Sequence, residues 1–360
     1  MENYRKIKIA GKGSFGYAVL VQHQQNRKYY IMKIIDVSKM NSKQKQDSLN
    51  EVKFLKELAH PYIIQYRESF MDKQKYLCIV MDYADSGDLH GKIQKYKKEG
   101  RQFEEKEILH VFLQICLGMI YVHGKKILHR DLKTQNIFLT NGDSVKIGDF
   151  GIARVLQNTC DCAQTAIGTP YYLSPEICQE KPYNQKSDIW SLGCILYEMM
   201  TLKHAFDSTD MRGLVLKILR GNIPPLPEIY SKDLRDLVHE MLCKDPLKRP
   251  SIKKILNKDF LQEKLNKLLN EQLSSSLGEN DMKIQQNVST DQPVPKSLDQ
   301  NQQQQQQPIK KHEIIINGKQ QLNQQYKNYY NYQQNQQNFI NQPPNQRNIS
   351  KNSDKMKNNR

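Results

Sequence analysis

His129-Arg130-Asp131-Leu132-Lys133-Thr134-Gln135-Asn136, followed thirteen residues after Asn136 by Asp149-Phe150-Gly151, gathers the residue types that phosphoryl transfer needs. That reaction asks for a positioned hydroxyl, cations around the migrating phosphate and an in-line geometry. Asp131 is the candidate base, or the group that orients the acceptor hydroxyl, and Lys133 can neutralise charge on the transferred group. Asn136 offers an amide oxygen to Mg2+, and Asp149 offers a hard carboxylate oxygen. Magnesium keeps several waters and takes few protein ligands, so these two suffice. His129 is read as a packing and hydrogen-bonding residue, not as a base.

Gly11-Lys12-Gly13-Ser14-Phe15-Gly16 is a second chemical signal. Alone it is weak, because dinucleotide-binding domains share the spacing. Those domains need a helix directly after the glycines, whereas Ala18-Val19-Leu20-Val21 is β-rich. A strand–loop–strand flap over phosphates fits better, with glycines that let the backbone approach phosphate oxygens closely. The stretch from Ala10 through Gly11, Lys12, Gly13, Ser14, Phe15, Gly16 and Tyr17 to Ala18 is the candidate nucleotide cover. Lys33 ends the apolar run Ile31-Met32 on an expected strand, where a lysine is unusual without a partner. Glu51 on the next helix is the expected partner, with Glu57 as the alternative. Phe138, two residues past Asn136, is the candidate apolar floor under a base.

The elements that must position these residues follow from periodicity. Tyr4–Ile9, Ala18–His23, Tyr29–Ile35, Gln65–Phe70 and Tyr76–Met81 read as strands. Residues 42–58 read as a helix, from Leu49, Val52, Leu55 and Leu58 on one stripe. Beyond about 104, helical patterns dominate: Ile108 to Met119, Lys186–Met200, and Asp233–Leu242 ended by Asp245-Pro246. The expected class is α+β: a small strand-rich lobe with one key helix (about 4–81), a hinge (82–86) and a larger helical lobe (87–260). A cleft between two lobes is a common ligand site.

Composition divides the chain. Residues 261–273 suggest a short amphipathic helix through Leu261, Leu265, Leu268 and Leu269, too short for a sustained coiled coil. Residues 274–360 are rich in Gln, Asn, Ser and Lys, and read as a disordered tail. Net charge is +16; 13 Lys and Arg against 7 Asp and Glu put +6 in residues 264–360 and +10 in residues 1–263. Basic charge favours anionic partners without choosing among them. No zinc-finger spacing or aromatic RNA-binding run supports specific nucleic-acid binding. Seven cysteines with no C-x-x-C pair argue against a disulfide framework or a zinc ribbon. No signal-peptide core is visible in MENYRKIKIA, and no stretch approaches the ~20 apolar residues of a membrane span. A soluble, intracellular protein is expected.

Taken together, the motifs resemble those of eukaryotic protein kinases, and specifically of NIMA-related (Nek) serine/threonine kinases. The resemblance covers residues 4 to about 260. It rests on GKGSFG, Lys33, HRDLKTQN, DFG and Ser174-Pro175-Glu176, and on longer runs such as HPYIIQYRESF, VMDYADSGDL, IGTPYYLSPEIC and PYNQKSDIWSLGC. It implies a bilobal protein kinase fold over 4–260 and transfer of the ATP γ-phosphate, with Mg2+, to Ser or Thr hydroxyls of protein substrates. It implies that Lys33 binds the phosphates and pairs with Glu51. Met81 guards the back of the adenine pocket, with Asp82, Tyr83 and Ala84 as hinge. Asp131 is then the catalytic Asp; Glu176 pairs with Arg249, Asp188 braces the catalytic loop, and Thr165 is the regulatory phosphosite, with Arg130 as a ready phosphate partner. Lys133 and Thr169 point to Ser/Thr rather than Tyr acceptors. The family also implies a role at centrosomes, basal bodies or cilia, and hence microtubule-associated partners. Cytoplasmic or cytoskeletal placement, no membrane and a monomer or weak oligomer are the accompanying expectations. Ala10, Ala18 and Ile31 depart from the usual kinase residues but stay apolar, so altered adenine packing is expected, not loss of binding.

Overall fold

The computed structural model describes residues 2–13, 16–38, 40–41, 52, 55–73, 75–141, 144–150 and 170–271. The chain divides into two units, Met1–Leu265 and Asn266–Arg360, and the fold below is that of the first. Glu51, Ser14, Phe15, Thr165 and the tail beyond residue 271 lie outside the described residues.

β-branched and aromatic residues on alternating positions build an antiparallel sheet. Its strands are β1 (Tyr4–Gly13), β2 (Gly16–His23), β3 (Tyr29–Asp36), β4 (Tyr66–Asp72) and β5 (Tyr76–Asp82), in the order β1-β2-β3-β5-β4. Val19, Val21, Met32, Ile34, Cys78 and Val80 are buried on one face, under Tyr4, Tyr17, Tyr30, Phe70 and Tyr76. Because strand side chains alternate faces, Met32 and Ile34 in that core send Lys33 to the opposite face. β1 runs four residues past the expected end at Ile9, because Gly11, Lys12 and Gly13 keep pairing with Ala18, Tyr17 and Gly16. β5 likewise includes Asp82, one residue into the expected hinge, because Tyr30 pairs with it.

The second lobe is helical. It contains α1 (Leu89–Lys98), α2 (Glu105–Gly124), α3 (Pro175–Cys178), α4 (Gln185–Thr201), α5 (Met211–Arg220), α6 (Lys232–Met241) and α7 (Ile252–Leu256). Two short strands, β6 (Ile137–Leu139) and β7 (Val145–Ile147), pair antiparallel. α4 starts at a capping box, in which the Asn184 side chain accepts from the backbone and Ser187 answers it. It stops where Leu202 turns left-handed at φ 56°. Helix resumes at residue 259 and runs to the end of this unit, with Leu261 and Leu265 buried.

α2 corrects one expectation. It is long and apolar enough to cross a bilayer, contrary to the reading that no such stretch exists. Its apolar surface is used inside the protein: 67% of that stretch is buried, with Ile108, Phe112, Leu113, Ile115 and Met119 at 0–1% exposure. At Gly118 a Cβ would stand 2.6 Å from Ile147 Cδ1 and 3.3 Å from the Tyr62 carbonyl, so α2 lies directly against β7. That strand ends two residues before Asp149, so the core helix backs the strand that leads to it. The five described cysteines, Cys78, Cys116, Cys178, Cys194 and Cys243, are free thiols.

Candidate active site

Strand register assembles the first half of the site. Gly11 pairs with Ala18, Ala18 with Lys33 and Lys33 with Ile79, so these four form one row across the sheet. At Gly16 a Cβ would lie 1.8 Å from the Ile34 carbonyl oxygen, and only glycine fits that approach. Ala10, Gly11 and Lys12 are exposed, and Tyr17 and Ala18 are half-buried. The Lys33 ammonium stands 3.0 Å from Asp149 Oδ1, spanning 116 positions of sequence. Partial desolvation pushes the Asp149 carboxyl upward, but the Lys33 ammonium together with Lys133 outweighs it, and the net shift is below the usual carboxylate range. Asp149 itself is left-handed at φ 50°, a conformation uncommon for a non-glycine residue and often found at functional sites.

The second half is the loop from His129 to Asn136. Lys133 Nζ lies 2.8 Å from Asp131 Oδ2, and Asn136 Nδ2 donates to the same oxygen at 2.9 Å and to the Asp131 carbonyl at 2.7 Å. Oδ2 is therefore held by two side chains. Backbone N–H groups of His129 and Arg130 donate to the two oxygens of buried Asp188, each at 3.1 Å. Tyr183 Oη donates to Asp188 at 2.6 Å, and His123 lies 2.8 Å from it. Burial raises the Asp188 carboxyl, but these partners, His123 foremost, bring it below its ordinary value. This bracing matches the expected role of Asp188, and it holds Arg130 at φ 66°.

His129 is structural, as expected. Its Nδ1 accepts from Asp131 N–H at 3.3 Å, which assigns the proton to Nε2, 3.1 Å from the Gly148 carbonyl. Burial lowers its pKa and keeps the ring neutral. The ring packs on Phe150 at 4.6 Å between centroids. Phe138 on β6 lies over Gly148, where a Cβ would be 2.7 Å from its ring. Met81 pairs with Ile31 and with Tyr66 near the end of β5. Tyr83 is exposed and Ala84 buried.

The expected Lys33–Glu51 pair lies outside the described residues. Asp149 is the acid that holds Lys33 among the described ones. The Glu176–Arg249 pair is present and bidentate, with both nitrogen–oxygen distances 2.8 Å. Two arrangements were not legible in the motifs. The Tyr172 hydroxyl bonds buried Glu198 and lies 2.9 Å from Thr134 Oγ1, joining residues 170–172 to the loop from His129 to Asn136. Arg67 grips Asp82 through two hydrogen bonds. Both depend on which side chains meet across elements, which spacing along the chain does not encode.

The strand-rich lobe carries Lys33, and the helical lobe carries both its partner Asp149 and the loop on which Lys133 and Asn136 hold Asp131. Residues 4–261 match the protein kinase domain family, and the chain belongs to that family. Within it, the chain is 51% identical over 273 residues to Serine/threonine-protein kinase Nek1 of Mus musculus, covering 76% of this chain and 22% of that protein. It is 49% identical over 284 residues to Probable serine/threonine-protein kinase nek3 of Dictyostelium discoideum, covering 78% and 25%. It is 47% identical over 270 residues to Serine/threonine-protein kinase Nek5 of Homo sapiens, covering 75% and 38%. The NIMA-related affinity read from the motifs is thus shown by its relatives. The chain spans about a quarter to two-fifths of the length of these curated relatives.

Proposed function

We propose that this protein is a serine/threonine kinase that transfers the γ-phosphate of ATP directly to hydroxyls of protein substrates. One observation carries the reading: Lys133 and Asn136 both fix Oδ2 of Asp131, at 2.8 and 2.9 Å, on a loop hung from Asp188. Asp131 orients the acceptor hydroxyl and takes its proton as the oxygen bonds to the γ-phosphorus. The bond from that phosphorus to the β–γ bridging oxygen breaks, and ADP leaves. Lys133 neutralises charge on the migrating group, and Lys33 holds the phosphates under the flap from Ala10 to Ala18. Hinge residues Asp82, Tyr83 and Ala84 and the Phe138 floor take the adenine.

The donor set fits Mg2+: Asp149 is a carboxylate kept ionised beside Lys33, and Asn136, with Nδ2 engaged by Asp131, has its amide oxygen to offer. Bound there, the metal would neutralise charge on the phosphate oxygens. The relatives' names support Ser/Thr acceptors. Cytoplasmic placement, a role at centrosomes, basal bodies or cilia, and microtubule-associated partners form the cellular part of this proposal, together with a monomeric or weakly oligomeric state.

The test is phosphoamino-acid analysis after incubation with γ-labelled ATP, Mg2+ and substrates offering Ser, Thr and Tyr. Label is expected on Ser or Thr and should vanish when the metal is chelated. Label on Tyr alone, or none from a folded protein phosphorylated at Thr165, would overturn the reading. Thr165→Ala is expected to cut activity roughly tenfold, since a phosphate there would form charge-assisted bonds with Arg130. Full activity of that variant against fully phosphorylated wild type would remove Thr165 from its regulatory role.

A further inference from the structure

The strand that carries the hinge is fastened in an unusual way. Along β4 and β5, Tyr66 pairs with Met81 but Glu68 pairs with Val80, so Arg67 is the extra residue of a β-bulge. Bulges re-aim side chains, and this one turns Arg67 onto Asp82, the last residue of β5. Arg67 Nε donates to Asp82 Oδ1 at 2.5 Å and Nη2 donates to Oδ2 at 2.7 Å, a two-pronged fork. The Asp82 N–H donates to the Gln65 carbonyl at 2.9 Å, and Tyr30 pairs with Asp82 from β3. Asp82 is therefore held by its side chain and by both flanking strands.

The anchorage continues on either side. Ile64 N–H donates to the Ile147 carbonyl at 2.9 Å, and Ile147 N–H donates to the Tyr62 carbonyl at 2.8 Å. Lys146 beside them donates to the Pro61 carbonyl. The segment that meets the hinge at Gln65 is thus sewn into β7, two residues before Asp149. At the far end, Ser86 N–H donates to the Leu139 carbonyl at 3.1 Å, and Leu139 N–H donates to the Gly87 carbonyl at 2.8 Å. Between the anchors lie Tyr83 and Ala84, whose peptide groups would meet the purine edge.

We propose that Arg67 is a positioning residue for the nucleotide: through its fork on Asp82 it sets the placement of the hinge peptides and so the selection of adenine. This rests on the hinge reading given above. The Arg67 and Asp82 side chains are 50% and 34% exposed, and ion pairs of that exposure add little to stability. A planar fork does constrain direction, which a lysine at the same place cannot do. Small displacements of recognition groups weaken binding of the reacting partner without altering the chemical groups.

The experiment uses the full chain and compares ATP with purine riboside 5′-triphosphate, which lacks the 6-amino group. Wild type should prefer ATP by roughly tenfold or more in kcat/KM, because a site built to bond that amine rejects its absence. Arg67→Ala should raise KM for ATP about fivefold and shrink the preference by a similar factor, with kcat and KM for the protein substrate within about twofold. Arg67→Lys should behave like Arg67→Ala, since it keeps the charge and loses the fork. The melting temperature of both variants should fall by no more than about 3 °C. If wild type discriminates and Arg67→Ala discriminates equally, the inference is wrong and the hinge reading stands. If wild type uses both triphosphates alike, the hinge reading fails and takes the inference with it. A joint fall of kcat, both KM-based efficiencies and melting temperature would make Arg67 merely structural and also overturn the inference.

Discussion

Asp131→Asn should lower kcat by about 10²- to 10⁴-fold while leaving KM for ATP within about twofold, the range that a positioned base contributes. Asparagine keeps the shape and an oxygen for Lys133 and Asn136, but it cannot accept the acceptor's proton. The hydrogen bonds at Oδ2 and the Asp188 bracing should preserve the loop. Asp149→Ala should fail differently. It removes the carboxylate that Lys33 meets at 3.0 Å and that would hold Mg2+. Activity should drop by about 10³-fold or more, with weaker nucleotide binding and a raised magnesium requirement. Steady-state kinetics and calorimetric nucleotide binding separate the two. Should Asp131→Asn retain a tenth of wild-type kcat, its assignment as the base fails. Equal loss of nucleotide affinity in both variants would instead make them one structural unit.

The contrast between these residues and Arg67 explains what the sequence made legible. His129 to Asn136 and Asp149 to Gly151 could be read because the chemistry itself demands those residue types within a short run, and a local loop delivers them together. Lys33 was legible from strand periodicity, since Met32 and Ile34 on the core face leave it on the other. Its contact with Asp149 was not, because that pair joins residues 116 positions apart and spacing along the chain does not encode it. The Arg67–Asp82 fork depends on a single extra residue in β4, a register feature that alternation cannot reveal. The ends of β1 and β5 lie beyond the expected ones for a related reason. Glycine lowers strand propensity, yet Gly11 and Gly13 pair because β2 offers partners. α2 shows the same limit from the other side. Its apolar residues are broken by single polar ones that hid its length, and they surround it because the helix is buried in the lobe's centre.

Arg249→Leu should be strongly destabilising. All five N–H donors of the guanidinium are engaged: Nε to the Cys243 carbonyl, Nη1 to Glu176 Oε1 and the Lys186 carbonyl, and Nη2 to Glu176 Oε2 and the Lys244 carbonyl. Its side chain is fully buried and lies over the Trp190 ring at 5.0 Å. Leucine fills part of the space but leaves a buried carboxylate and three carbonyls without these partners, at a cost of about 3–5 kcal/mol. For a domain of this size that is a fall of roughly 10 °C in melting temperature. Glu176→Leu combined with Arg249→Leu should cost less than Arg249→Leu alone, because no unpaired charge remains. Burial raises the Glu176 carboxyl, but hydrogen bonds from Arg249 and Ser187 outweigh it and bring it below its ordinary value. A depressed carboxyl stabilises the fold above its unfolded pKa of roughly 4.3, and that contribution disappears as pH falls through the lower folded value. Glu176→Gln should therefore flatten the wild-type loss of stability in that acid window and leave its slope near pH 7 untouched. Thermal melts from pH 7 to pH 3 on the three variants read both effects. A cost under about 1 kcal/mol for Arg249→Leu, or an unchanged acid slope in Glu176→Gln, would show that α3 is moored by its apolar packing instead of by this pair.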